Sequence, residues 1–577
     1  MKEILLNDLP SLVRNKSAVS ECARRDRWQS VAYRTAEVSG RMLLAGEEMF
    51  PDAVELEPGV RGWHRVYVCL AGIGGQSKVE ISLSGGRYKT TLRPSHTECV
   101  GGYWAWAAYE WAEEALFVTA DLTGASLFIN KPKAIEAPFT SAILFVRLVP
   151  MTDAEVKEYL RSGAGNSIFY HFDDDYYSQC DYASAQEYAG RVQMLEHGSG
   201  CALVNEISFD TCDPDYDEEM PSYVVSHKIN RAYAKYLRSQ WEVKRAVADA
   251  AHALGMEAYA GCRMEMGDFF LPYTESVYND GLVDLFPQYR CKTRTGEEIA
   301  ALSYAYPQVR AMAVDKLLNG MGDLFDGVSL FFHRGVHAAF EKAVADRVKE
   351  LYGTDAARLP FADGRLHGVL CGFMTQFLRE LRAALDARSP QKRIKINAVV
   401  YFDVQSSKYF GCDVETWAKE GLIDSVSQGL MKHYEVLDGC LGADGLIDLQ
   451  KYAEKKGKEP VLRRYYGDDE QTVVSGLHDF MRIAERYDIE FFAALPWENK
   501  PYEYHLALAK ALYEAGACKF ICWNANHIAE RLPVLAAVKR AGEKEKLFGE
   551  QPPLRRLHRV LAVGGRDISE FNPNWRG

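Results

Sequence analysis

From Ser167 to Trp523 the chain repeats one rhythm of apolar strand, loop and amphipathic helix. No other feature constrains the fold as strongly. The strand candidates are 168–172, 202–206, 258–263, 327–332, 396–401, 423–427, 461–465, 489–495 and 519–523. Helical periodicity lies between them, as in 243–254, which ends at Gly255, and in 504–513. Strands that alternate with helices lie parallel, because each helix carries the chain back outside the sheet. Over this length the closed solution is a (β/α)8 TIM-type barrel. Nine candidates are one too many, so either 461–465 or 489–495 is expected outside the barrel.

At 577 residues the chain exceeds a single core, which stops growing near roughly 250–300 residues. The segments 63–70, 79–84, 115–119 and 142–148 read as short strands bounded by Gly, Pro, Asn or Asp. They predict an antiparallel β-sandwich, jelly-roll-like, over 1–155, with Lys78, Glu80 and Ser82 alternating outward. Thr152 or Asp153 is placed to cap a short helix with Glu155 in its first turn, and 162–166 reads as a linker. The barrel is then expected over 165–545 and a C-terminal extension over 546–577. Five aromatics, Tyr103, Trp104, Trp106, Tyr109 and Trp111, form either a sugar platform or a plug at the domain interface. The plug is favoured because tryptophans usually bury themselves.

The net charge of −12 argues against nucleic acid or an anionic membrane as partner, since both need clustered Lys and Arg. It suits a neutral or weakly polar ligand such as a carbohydrate, and no cofactor is implied. A homo-oligomer stays open. The first ten residues have no apolar core or cleavage site of a secretory signal. No window approaches the roughly 18 apolar residues of a spanning helix. The 13 cysteines are scattered without a Cys-x-x-Cys pair, which suits a reducing, cytoplasmic setting.

Reactive groups in such barrels sit where strands end at the C-terminal face. Those positions hold His171, Asp173 and Asp174; then Glu206; then Arg263 and Glu265; then His333 and Arg334. The later strands lead to Tyr401, to Trp497, Glu498 and Asn499, and to Trp523. Glycoside hydrolysis needs two carboxyl groups, one protonated to release the leaving oxygen and one ionised as nucleophile or base. Glu498 is the best nucleophile or base, because it follows an apolar strand and is flanked by Trp497 and Asn499; the alternative is a solvated carboxylate beside Lys500. Trp497 and Trp523 offer flat faces for sugar stacking.

Glu265 and Glu206 compete as partner. Arg263 lies two residues before Glu265, on the same side of an extended segment, and would hold that carboxyl ionised. A salt bridge that shapes the barrel mouth is the alternative. Asp173, Asp174 and Asp175 repel one another, so they need solvent, a cation or basic neighbours. His171 and Asp173 lack a third ligand at a diagnostic spacing, so no metal site is assigned and a cap or hydroxyl-binding role is preferred. His333 reads as a hydrogen-bonding wall, and Arg334 suits a carboxylated or sulfated sugar.

The segments 302–310 (Leu-Ser-Tyr-Ala-Tyr-Pro-Gln-Val-Arg), 325–335 (Phe-Asp-Gly-Val-Ser-Leu-Phe-Phe-His-Arg-Gly) and 411–424, with 513–517 before the last strand, occur in an order that resembles bacterial putative glycosyl hydrolases of the family-ten-like type. The resemblance covers about 165–530. It implies a barrel preceded by a β-sandwich and a sugar-directed role. The chain departs from the pattern at Phe331, where some relatives carry an acid, and at His333 and Arg334, where family-ten xylanases carry an Asn-Glu acid.

A glycoside hydrolase working through Glu498 and either Glu265 or Glu206 is therefore the expectation. A catalytically silent carbohydrate-binding barrel and a metal-dependent hydrolase are its rivals.

Overall fold

The computed structural model describes residues 2–567 apart from 72–76, 95–98, 101–102, 105–110, 133–138, 163–166, 174–184, 197, 206–230, 265–285, 293, 295, 297, 333–339, 361–362, 430–473, 475, 496–499 and 550–552. Eight parallel strands close into the expected barrel. They are Ile168–Asp173, Gly198–Asn205, Glu257–Arg263, Gly327–Phe331, Lys395–Val400, Ser425–Gln428, Glu490–Ala494 and Phe520–Cys522. The segment 489–495 thus supplies the seventh strand, while 461–465 lies outside the described residues. Closure comes from the first strand pairing with the last, Ile168 opposite Phe520 and Tyr170 opposite Cys522.

Side-chain alternation fills the barrel in layers. At the N-terminal end Phe169 points inward, its ring 5.0 Å from that of Tyr259 and 5.5 Å from that of Phe492. Tyr170, the next residue, points outward and donates its hydroxyl to the Glu196 carbonyl at 2.7 Å. Gly327 leaves room for the Tyr259 ring, since a Cβ there would lie 2.5 Å from it. Below this layer Glu257 receives Lys395 at 2.6 Å and the Tyr259 hydroxyl at 2.8 Å.

Higher up, a polar belt crosses three adjacent strands. Ser329 donates to Asn397 Oδ1 at 2.9 Å, and Asn397 Nδ2 donates to Ser425 at 2.8 Å and Ser427 at 2.9 Å. All four are buried. The belt is tolerable because its members satisfy one another, as a buried network must.

Residues before the barrel supply seven strands of a largely antiparallel nine-stranded sheet and all of a four-stranded sheet of Val54–Leu56, Leu127–Asn130, Val79–Leu83 and Arg87–Leu92. Their apolar residues, such as Val68 and Ile143 of the large sheet and Ile81 and Ile129 of the small one, share a single core. The predicted outward position of Glu80 and Ser82 does not hold: both are buried. Glu80 accepts from Asn130 at 3.1 Å and pairs with Lys89 at 3.4 Å. The physical reason is that the other face of this sheet is covered. The barrel helix Ala185–Gln193 lies against the strand of Lys89, and a Cβ on Gly190 would meet the Lys89 carbonyl at 2.4 Å.

The strand Arg555–Val563, from the region set apart above as a C-terminal extension, returns to the large sheet. Its first half pairs with Trp111–Asp121 and its second half with Trp28–Thr35. The helix Asp153–Ser162 carries a capping box. The Thr152 amide donates to Glu155 Oε2 at 2.8 Å, and the Glu155 amide donates to Thr152 Oγ1 at 3.3 Å. These bonds from Thr152, with Arg65 beside them, hold the Glu155 carboxyl down at about 2.

Sheet and barrel are joined through Glu530. This carboxylate receives Arg191 at 2.6 Å and Arg93 at 2.7 Å, and its backbone carbonyl accepts the Arg93 amide at 2.9 Å. Arg191 and Glu530 are each 1% exposed, so losing one charge strands the other in a low-dielectric site. Glu530→Gln is expected to cost about 3 kcal/mol, read as a fall in the thermal midpoint. Breaking the exposed Arg25–Glu48 pair with Arg25→Ala should leave that midpoint unmoved.

Candidate functional site at the C-terminal mouth of the barrel

Three inward side chains from separate strands meet under the mouth. His171 on strand one stacks on Phe331 of strand four, with ring centroids 4.9 Å apart and planes at 29°. Trp523, directly after strand eight, lies 4.8 Å from His171 and 5.3 Å from Phe331. Arg263, at the end of strand three, holds its guanidinium 5.4 Å from the Phe331 centroid, a cation–π contact. All four are buried. They make a dense, mostly aromatic floor that carries one fixed cation and one imidazole.

The strand ends above this floor are fixed by the neighbouring strands. The Met264 amide donates to the Phe331 carbonyl at 3.0 Å, that of Phe332 to Val399 at 2.8 Å, and that of Leu495 to Ile521 at 3.0 Å. The Tyr304 hydroxyl donates to the Met264 carbonyl at 2.9 Å. The chain is thus held at the residue before Glu265, the residue before His333, and three residues before Glu498. At strand six Gln428 spans its neighbours, donating to the Phe402 carbonyl at 3.0 Å and accepting from the Ala494 amide at 3.1 Å. Strand eight breaks sharply after Trp523, because Asn524 is left-handed with φ 50°, a conformation Asn tolerates better than most residues.

Of the residues singled out in the sequence, the structure brings Arg263 and Trp523 together with His171. Trp523 belongs to the buried floor, at 2% exposure. Tyr401 is fully buried, stacked on Phe410 at 3.8 Å with planes 12° apart. Asp173 is the last residue of strand one. Glu206, Glu265, Glu498, Asp174, His333, Arg334, Trp497 and Asn499 lie outside the described residues, as do Trp106 and Tyr109 of the aromatic cluster. Among the described residues no group of three or more His, Cys, Asp or Glu side chains is placed to hold a metal ion. Nor is any described helix long and apolar enough to cross a membrane.

Sequence reasoning missed Gln428 and a buried acid, Glu341. The strands Arg290–Lys292 and Glu298–Leu302 pair as a hairpin between barrel strand three and the helix Pro307–Met321. The Phe340 amide donates to the Lys292 carbonyl at 3.3 Å, and Arg294 lies 4.6 Å over the Phe340 ring. These ties bring Glu341, before the helix Lys342–Tyr352, against Ser303, which donates to its carboxyl. Glu341 is 1% exposed, and burial pushes its carboxyl up to about 7. Cys291 is buried beside them, and burial raises its thiol well above the ordinary range. No local pattern in the sequence marks this acid, because a hairpin distant in sequence creates its burial.

No family model matches the chain, and no curated protein matches it. Among solved structures, the catalytic domain of β-amylase from Paenibacillus polymyxa aligns with 67% of this chain and 100% of its own at 9% identity, with a TM-score of 0.39. The β-galactosidase of the psychrophilic Marinomonas ef1 aligns with 66% of this chain and 59% of its own at 11% identity and a TM-score of 0.38. The GH26-CBM35 β-(1,4)-mannanase of Podospora anserina spans 93% of this chain and 95% of its own at 10% identity and a TM-score of 0.27. What the site does chemically rests on this chain's own residues.

Glu341 supplies a test of the electrostatics beneath the hairpin. Its folded value, about 7, lies above its ordinary value of 4.5. Between those values the folded chain keeps a proton that the unfolded chain has lost, so stability falls as pH rises through the window. The whole fall is about 3 kcal/mol and is complete above the folded value. Urea midpoints at pH 5 and pH 8 are expected to differ less in Glu341→Gln than in the wild type.

Proposed function

We propose that the chain is a glycoside hydrolase acting through two carboxyl groups at the C-terminal mouth of the barrel. The observation that carries this reading is the floor of His171, Phe331, Trp523 and Arg263, together with three glutamates that follow strand ends in the sequence. Glu206 follows strand two, Glu265 follows Arg263 of strand three, and Glu498 follows strand seven. Strand ends on this face carry the chemistry of such barrels.

The floor supports two protonation states. A carboxyl over its aromatic part loses solvation and keeps its proton, which suits the group that protonates the glycosidic oxygen. A carboxyl near the Arg263 guanidinium is held ionised, which makes Glu265 the less suited of the two candidate partners to give a proton. In this reading Glu498 is nucleophile or base, and Glu265 or Glu206 is its partner. Protonation of the leaving oxygen breaks the bond to the anomeric carbon. Glu498 either bonds to that carbon or takes a proton from the water that does. Asp173, Asp174, His333 and Asn499 bind sugar hydroxyls, Arg334 meets an anionic substituent, and Trp497, Tyr401 and Trp523 line or support the sugar face. The ordered motifs that resemble family-ten-like glycosyl hydrolases support the same class.

Hydrolysis of α- and β-aryl glycosides, uronic acid and sulfated sugars included, tests the reading. Wild type is expected to release the aryl alcohol from at least one of them. Glu498→Gln should be slower by about a thousandfold or more. Equal rates would remove Glu498 from the mechanism. Activity abolished by a chelator would favour metal-dependent hydrolysis instead.

A further inference from the structure

A cavity of about 510 Å³ lies between the sheet domain and the outer side of the barrel, toward the end opposite the mouth. Gln193, Met194 and Glu196, at the end of the first barrel helix, lead into strand two and mark the N-terminal end of the barrel. Lys539, Arg540 and Glu543 lie at the end of the last long helix, Leu532–Ala541. Gly542 there accepts from Ser167, the residue before strand one, at 2.7 Å. The sheet domain supplies the other wall through Tyr67, Tyr88 and Phe117, and the helix Asp153–Ser162 adds Tyr159.

The charges around this cavity balance. Arg65 pairs with Glu155 at 3.0 Å, Lys539 pairs with Glu196 at 3.4 Å, and Lys546 pairs with Glu543. The remaining lining charges, Arg540 and Glu158, are of opposite sign. Neither an anion nor a cation meets a net opposite charge here, so a charged ligand gains little. A purely apolar ligand would cover these ion pairs without replacing their water, which costs free energy. A neutral polyol satisfies both parts, its hydroxyls meeting the ion pairs and its C–H faces meeting the tyrosine rings.

The backbone at Tyr88 carries an independent sign of the same site. Tyr88 is left-handed, with φ 55°, a rare conformation for a bulky residue and one found at ligand clamps. Two left-handed glycines, Gly85 and Gly86, turn the chain just before it. The Tyr88 amide donates to Gln193 of the barrel at 2.8 Å, which fixes the ring at the cavity. Tyr159 is anchored across the same gap, its hydroxyl donating to Glu196 at 2.6 Å.

We propose that this cavity is a second, non-catalytic site that binds a short neutral saccharide, about two rings long, of a size that suits a pocket in the range of roughly 300–1,000 Å³. It is independent of the chemistry at the barrel mouth.

Saturation-transfer NMR on the full chain tests it with maltose, cellobiose, lactose and N,N′-diacetylchitobiose at up to about 20 mM, and glucuronic acid as the charged control. At least one neutral disaccharide is expected to bind the wild type, and glucuronic acid is not. Ala536→Trp fills the cavity from the half-buried face of the 532–541 helix and should weaken binding about tenfold or more. Tyr67→Ser removes an aromatic wall without adding bulk, so it reports the same loss should the larger side chain impair folding. Both cavity variants should keep the aryl-glycoside rate of the wild type, which separates this site from the mouth. No binding of any of the four sugars overturns the proposal. So does binding that survives both cavity variants, or aryl-glycoside hydrolysis that falls in them in step with binding.

Discussion

Closure of the barrel is the constraint on which the site depends. Strand one and strand eight are separated by most of the chain, yet the Phe520 amide donates to the Ser167 carbonyl at 2.8 Å and the two strands then run in register. Closure brings His171 beside Trp523, and Phe331 of strand four reaches both across the interior. An open sheet would leave these rings on separate edges. The aromatic floor is therefore a consequence of topology, and its low polarity follows from the water it excludes. Arg263 is tolerated there because its guanidinium lies against a ring face.

Much of this architecture is legible locally. A parallel strand buried on both faces is an apolar run, and the helix that follows it carries a 3.6-residue stripe. Segments such as 327–331 and 490–494 show this directly. Two features resist such reading for a physical reason. Arg555–Val563 alternates buried and exposed residues as an edge-like strand would, but its partners lie near the start of the chain and only the folded sheet reveals them. Glu80 and Ser82 look solvent-facing because strand alternation cannot register a helix that covers the outer face.

The site divides in the same way. Arg263 and Trp523 were identifiable because they end strands. Gln428 also ends a strand, yet its role in tying strand five to strand seven depends on geometry that no spacing encodes. Glu341 depends on a hairpin nearly forty residues upstream. The two ends of the barrel also differ in character. Among the described residues the mouth has an aromatic floor with the Arg263 cation, whereas the sheet-side cavity is ringed by matched ion pairs. Glu530 binds the sheet to the barrel and so keeps that second wall in place.

The central claim is that a carboxylate of the 496–499 segment attacks the anomeric carbon or activates the water that does. Chemical rescue tests it most directly. Glu498→Ala would be assayed on the best aryl glycoside with and without sodium azide, and the products analysed by NMR. Recovery of aryl alcohol release by azide, with a glycosyl azide of inverted anomeric configuration, is the predicted result, because the small anion enters the space the carboxylate leaves. Hydrolysis by Glu498→Ala at the wild-type rate without azide would contradict the account.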